Sequence, residues 1–147
     1  NVTLDQGTEY TVVAAGRVAG APAFGLLLTA DNLRPVATQA SVKVIHAAPA
    51  AGVVQVYVTA AGDFSVADVE AGIAGDPLLP DFAFGDITDD VAVLPGNYDV
   101  RVVAGGFVAI NVENFNLAAG SVSTLIARGP NEPAGVPNDF GVVVLTN

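Results

Sequence analysis

The chain carries one histidine, fifteen acidic side chains and no cysteine among its 147 residues. A lone histidine makes neither a catalytic triad nor a metal site. His46 therefore reads as a neutral ring hydrogen-bonded to the loop that follows it. Asp86, Asp89 and Asp90 crowd one turn, Gly85 to Asp90. Hard carboxylate oxygens at a β-turn are the ligands calcium takes, and calcium is the one cofactor this pattern leaves open. The spacing lacks the calcium-loop period and its central glycine, so solvated turn acids are the plainer reading. Asp76 and Asp81, beside Pro77 and Pro80, read the same way. No serine stands in G-x-S-x-G, no H-E-x-x-H occurs, and no glycine-rich loop leads into a lysine-bearing helix. No pair of carboxylates is singled out for glycoside hydrolysis, and there is no tryptophan to line a sugar cleft. The expectation is a protein with no enzyme activity and no required cofactor.

Composition narrows the partners. The formal net charge is −10, with one lysine and four arginines. Such a field repels nucleic acid and anionic membranes, and nucleic acid is excluded as a partner. The apolar fraction is 52%, enough for a sizeable core, yet no run approaches the ~18 apolar residues of a membrane-spanning helix. Without cysteine there is no disulfide framework. No methionine occurs, position 1 included, so the sequence reads as a processed or excised piece. An acidic, lysine-poor chain punctuated by Thr, Asn and Gly suits an extracellular or cell-surface protein of a prokaryote.

The elements that must position these groups are strands. From Ser41 to Thr59 the chain reads strand, proline-marked break, strand. Val42, Val44 and His46 share one face and Lys43 points the other way; after Pro49 and Gly52 the alternation resumes at Val54, Val56 and Val58. Period two with β-branched residues marks half-buried strands. The same reading predicts strands near 2–4, 9–15, 24–29, 41–47, 53–59, 82–86, 91–94, 98–103, 107–113, 121–128 and 140–145. It adds one helical turn over 66–71, capped by Ser65 with Asp68. The expected architecture is all-β: an immunoglobulin-like antiparallel sandwich over 41–147, a linker over 31–40, and an N-terminal partial repeat over 1–30.

That partial repeat rests on the residues themselves. Asn1 to Gly16 matches Asn114 to Gly129, with Leu4 on Leu117, Gly7 on Gly120, Thr11 on Thr124, Ala14 on Ala127 and Gly16 on Gly129. Phe24-Gly25-Leu26-Leu27-Leu28 then matches Phe140-Gly141-Val142-Val143-Val144. Residues 1–30 thus repeat the last strands of the domain that follows.

Three stretches carry a family resemblance: Val42 to Val58 with His46-Ala47-Ala48-Pro49, Phe82 to Val103 with Leu94-Pro95-Gly96-Asn97-Tyr98, and Asn116 to Gly129. Together they resemble the prokaryotic "domain of unknown function 4397" family. The resemblance takes 41–147 as a whole copy and 1–30 as the back half of a preceding one. It implies secreted or cell-surface tandem β-domains with no established enzyme activity. Ala50, Gly52 and Gln55 stand where the family pattern has Asp, Pro and Asp. Any ligand those acids hold in relatives is expected to be lost here.

An N-terminal half-domain leaves apolar strands without partners, a condition that invites association. The strands pair within the chain or are completed by a neighbouring subunit through strand addition. The second route gives a head-to-tail homopolymer. Tyr10, Val12, Phe24, Leu26 and Leu28 on these strands, with Leu78, Leu79 and Phe82 in the long apolar loop, are the expected assembly residues. The expected function is a non-catalytic structural protein, a cell-surface or filament subunit. The alternative is an adhesion or ligand-binding module with a carbohydrate or protein partner.

Overall fold

A computed structural model describes residues 3–31, 34, 36–129 and 140–146. Its elements, in chain order, are β1 (Tyr10–Ala15), β2 (Gly25–Ala30), β3 (Ala40–Ala47), β4 (Val54–Ala60), α1 (Val66–Glu70), β5 (Leu79–Phe82), β6 (Val91–Val93), β7 (Gly96–Ala104), β8 (Phe107–Leu117), β9 (Val122–Arg128) and β10 (Gly141–Thr146). The protein is all-β, as its period-two valines predict, and its two four-stranded sheets form a sandwich. One sheet runs β10-β9-β3-β6 and the other β5-β4-β7-β8. Alternate valines from both close the core: Val54, Val56, Val100, Val102, Ile110 and Phe82 are buried together with Ala127, and Val44, Val58 and Val142 pack against them. At roughly 1.5–3 kcal/mol for each fully buried side chain of this size, this cluster is the main source of cohesion.

One pairing is parallel. β3 lies between β6 and β9, antiparallel to the first and parallel to the second, with Ser41 beside Val122 and Ala47 beside Arg128. Period two is the same in either sense, which is why the sequence did not separate the two.

The N-terminal strands pair with each other. β1 and β2 form an antiparallel hairpin from Tyr10↔Ala30 to Ala15↔Gly25. The hairpin needs Gly16 at its end: φ is +107° there, and a Cβ would overlap the Ala23 carbonyl. A two-stranded hairpin alone is marginal in water, so it lies on the outer face of the β10-β9-β3-β6 sheet. Val13, Ala15 and Leu27 pack against Ile45, Ala47 and Ile126, with Ile87 beside them. This explains why β9 is buried from Val122 to Ala127 without alternation: the opposite sheet covers one face and the hairpin the other.

The far side of the second sheet carries α1. Ser65 caps it as its sequence predicts, accepting from the Asp68 N–H while Asp68 accepts from the Ser65 N–H at 2.8 Å. Val69 reaches down to Tyr57 and Val103.

Two expected strands differ. Residues 3 and 4 are not in a strand, and residue 2 lies outside the described residues. The strand expected over 82–86 lies at Leu79–Phe82, one turn earlier. Pro80 made this stretch read as a break, but β5 is an edge strand, where a missing N–H costs nothing if it points outward.

Candidate functional site

His46 sits in the core with its neighbours Val42 and Val44, on the face its sequence phase implies. It is fully buried. Its Nδ1 accepts from the Ala48 N–H at 3.2 Å, and its Nε2 lies 2.9 Å from the Gly52 carbonyl. With Nδ1 accepting, the proton is on Nε2 and is donated to Gly52. The ring stacks on Phe82 with centroids 5.9 Å apart. Desolvation lowers its pKa, against the raising effects of the Gly52 carbonyl and Asp86. Both nitrogens are engaged in holding the 48–52 turn, so the ring is structural and unavailable for proton transfer.

The three acids of the 85–90 turn point to different places. Asp86 accepts from the Ala83 N–H at 2.7 Å and closes its own turn. Its backbone carbonyl accepts from the His46 N–H, and the Thr88 N–H donates to Val44. The segment thus runs along β3 as an irregular extension of β6. Asp90 turns towards Lys43, 3.6 Å from its Nζ, while Asp89 is exposed. Among the described residues no three His, Cys, Asp or Glu side chains stand where they could hold a metal ion. Asp86, Asp89 and Asp90, the candidate calcium ligands, do not form such a group.

Lys43 and Arg101 were not singled out by the sequence, and both are buried. Lys43 donates to the Ala30 carbonyl at 2.6 Å and to Thr29 Oγ1 at 3.1 Å. Asp31 and Asp90 supply its negative neighbours at 3.9 and 3.6 Å. The ammonium therefore ties the hairpin to the sandwich. Arg101 lies in the second sheet and donates to Asp99 at 3.1 Å. Asp99 also accepts from the Gly62 and Asn114 N–H groups, which hold its carboxyl below the usual range together with the Arg101 charge. The signal for both was a basic residue inside an alternating apolar strand, which burial of the opposite face disguised.

The expected assembly residues divide. Phe82 is in the core at 6% exposure, and Leu79 is half-buried. β5 folds onto its own sandwich, so the Phe82 side chain is taken up in the core, and Leu79 packs against the same cluster. Tyr10 and Leu28 are half-buried, and the Tyr10 hydroxyl accepts from the Asp5 N–H. The rest form a face. Val12, Phe24 and Leu26 are 54%, 58% and 62% exposed on the outer side of the hairpin. Thus Val13 and Leu27 face the sandwich and Val12 and Leu26 face away, which period two requires. Leu78 is also exposed.

Two concavities border these features. One is an apolar cavity of ≈110 Å³ between the sheets, lined by Val44, Val56, Val100 and Leu125 and reaching Leu78 and Val144 at its margin. The other is a groove of ≈660 Å³ between the hairpin and the first sheet, bordered by Val13, Ile126, Arg17, Arg128 and Pro49.

Residues 1–57 match the family model of the Domain of unknown function (DUF4397). This segment is similar to DUF4397 sequence. The DUF4397 match takes in the hairpin and β3 with His46-Ala47-Ala48-Pro49, and ends within β4. Phe82 to Val103, with Leu94-Pro95-Gly96-Asn97-Tyr98, and Asn116 to Gly129, the other two stretches that carried the resemblance, lie outside it. No curated protein matches the chain. Among the described residues no helix is long and apolar enough to cross a membrane.

Proposed function

We propose that this chain is a non-catalytic structural protein of the cell surface or an extracellular filament, whose subunits associate through their β-strands. The observation that carries this reading is the outer face of the hairpin. Val12 and Leu26 on the two-stranded sheet, and Phe24 just before β2, are exposed to solvent. An apolar sheet face with unpaired edges is an association surface in water. Support also comes from what the polar residues do. His46, Lys43, Asp86, Asp90 and Asp99 are each spent on backbone groups or on one another. The function is then mechanical: main-chain hydrogen bonds and apolar contacts give cohesion, and the acidic exterior keeps the assembly dispersed.

The test is electron microscopy of the purified full chain, with light scattering beside it. Regular fibres or large assemblies are the expected result. Uniform monomers of 14.7 kDa at every concentration would overturn the reading.

The groove beside Arg17, Arg128 and Pro49 favours a second reading, an adhesion or ligand-binding module for carbohydrate or protein. Loops at one end of a rigid sandwich are where such sites arise. That reading requires a stable monomer with saturable binding in titration calorimetry.

A further inference from the structure

Sheets end in edges, and soluble proteins blunt them with short length, charge, proline or bulges. Among the described strands there are six free edges. Three are blunted. β6 has three residues and follows Asp89 and Asp90. β5 contains Pro80 and Asp81. β8 carries Glu113, breaks its register against β7, and takes φ +54° at Asn114. The other three are bare. β1 (Tyr-Thr-Val-Val-Ala-Ala), β2 (Gly-Leu-Leu-Leu-Thr-Ala) and β10 (Gly-Val-Val-Val-Leu-Thr) hold six residues each, with no charge and no proline. On β10, Val143, Val144 and Leu145 are all about 40% exposed, so both faces of that edge are open.

The bare strands are also counterparts. In the hairpin Val12 pairs with Leu28 and Ala14 with Leu26. At the other end of the chain Leu125 pairs with Val144 and Ala127 with Val142. The registers agree position for position with the sequence match between the two segments. Leu125, Ala127, Val142 and Val144 line the apolar cavity. Their counterparts Val12, Ala14, Leu26 and Leu28 are the outward face of the hairpin. That face therefore has the side-chain pattern of a sandwich interior.

We infer that the β10 edge of one copy is the docking site for the β1–β2 hairpin of a second copy. The inference rests on the self-assembly reading and names its surfaces. Main-chain bonds form along β10, and the hairpin's Val12, Leu26 and Leu28 cover the seam at Leu78 and Val144 where the cavity reaches the surface. Charge selects this contact: two copies at −10 each repel, and these strands let them meet with no charge at the junction. The surfaces differ, so each contact uses one hairpin and one β10 edge and leaves one of each free at the two ends, where the next copy adds. The product is a linear chain.

The protein has no cysteine, so Leu26→Cys and Val144→Cys, both at exposed positions, can be made singly in the full chain. The two variants are mixed and oxidised. The expected result is a disulfide dimer from the mixture, and from neither variant alone. Leu145→Lys is expected to raise the concentration needed for assembly at least tenfold with the melting temperature unchanged, and Asn111→Lys on the β8 edge to leave it unaltered. Dimers from either variant alone would show a closed two-fold contact and overturn the proposal. Assembly that persists without the mixed disulfide, or is indifferent to Leu145→Lys, would overturn this pairing and leave self-assembly standing. If nothing assembles, both fall.

Discussion

His46 shows how little a functional-looking residue needs to do chemistry when packing claims it. Its phase on β3 was legible from Val42 and Val44, and so was its bond to the following loop, because a buried imidazole must spend both nitrogens and the 48–52 turn is the nearest supply. Its stacking on Phe82 was not, since Phe82 comes from a distant strand and local period does not say which strand faces which across the core. Burial lowers its pKa from the ordinary 6.5, so the unfolded chain binds a proton that the folded chain resists. Stability is therefore full above pH 6.5 and falls as pH drops below it. Asp68, lowered from 3.8 by the Ser65 hydroxyl and N–H, and Asp99 add their losses only as pH falls through the carboxylate range. Because there is one histidine, a decline in melting temperature between pH 6.5 and that range belongs to His46. His46→Phe is expected to remove the decline. It should also cost about 1–3 kcal/mol at pH 7, by leaving the Ala48 N–H and Gly52 carbonyl unpaired. Thermal melts across pH on both proteins check this.

Among the elements, the hairpin depends most on a single side chain. Apolar contact through Val13 and Leu27 gives it adhesion, but Lys43 fixes its position by holding the Ala30 carbonyl and drawing in Asp31 and Asp90. Lys43→Met leaves those acids without their cation, a loss on the order of 3 kcal/mol for a buried pair. Hydrogen exchange should then quicken at least tenfold across β1 and β2, while β4 and β7 keep their protection. Unchanged exchange in the hairpin would show that the apolar contacts suffice. Most strands were legible here because valine alternation is strong in β3, β4 and β7. What escaped was long-range: that β3 runs parallel to β9, and that Asp90 answers a lysine far back in the chain. Local period says which face is buried, and nothing about which distant element buries it.

At the scale of the whole molecule, charge and apolar surface oppose each other. A copy at −10 repels its like over roughly 10 Å at 0.1 M salt, while the neutral strands attract at contact. Salt weakens the first and leaves the second. Assembly followed by light scattering should therefore strengthen as sodium chloride rises from tens to hundreds of millimolar. Dissociation by salt would instead point to ion pairs at the junction.

The parallel pairing of β3 with β9 also has a bearing on synthesis. Ser41 finds its neighbour at Val122, so β3 leaves the ribosome long before the strand that flanks it exists. Its outer face need not wait. The hairpin precedes it in the chain and offers Val13 and Leu27 to Ile45 as soon as that residue emerges. On this order of events the N-terminal hairpin chaperones its own neighbour. It shields half of a β-rich strand while contacts between distant parts of the chain, the slow ones to form, are completed.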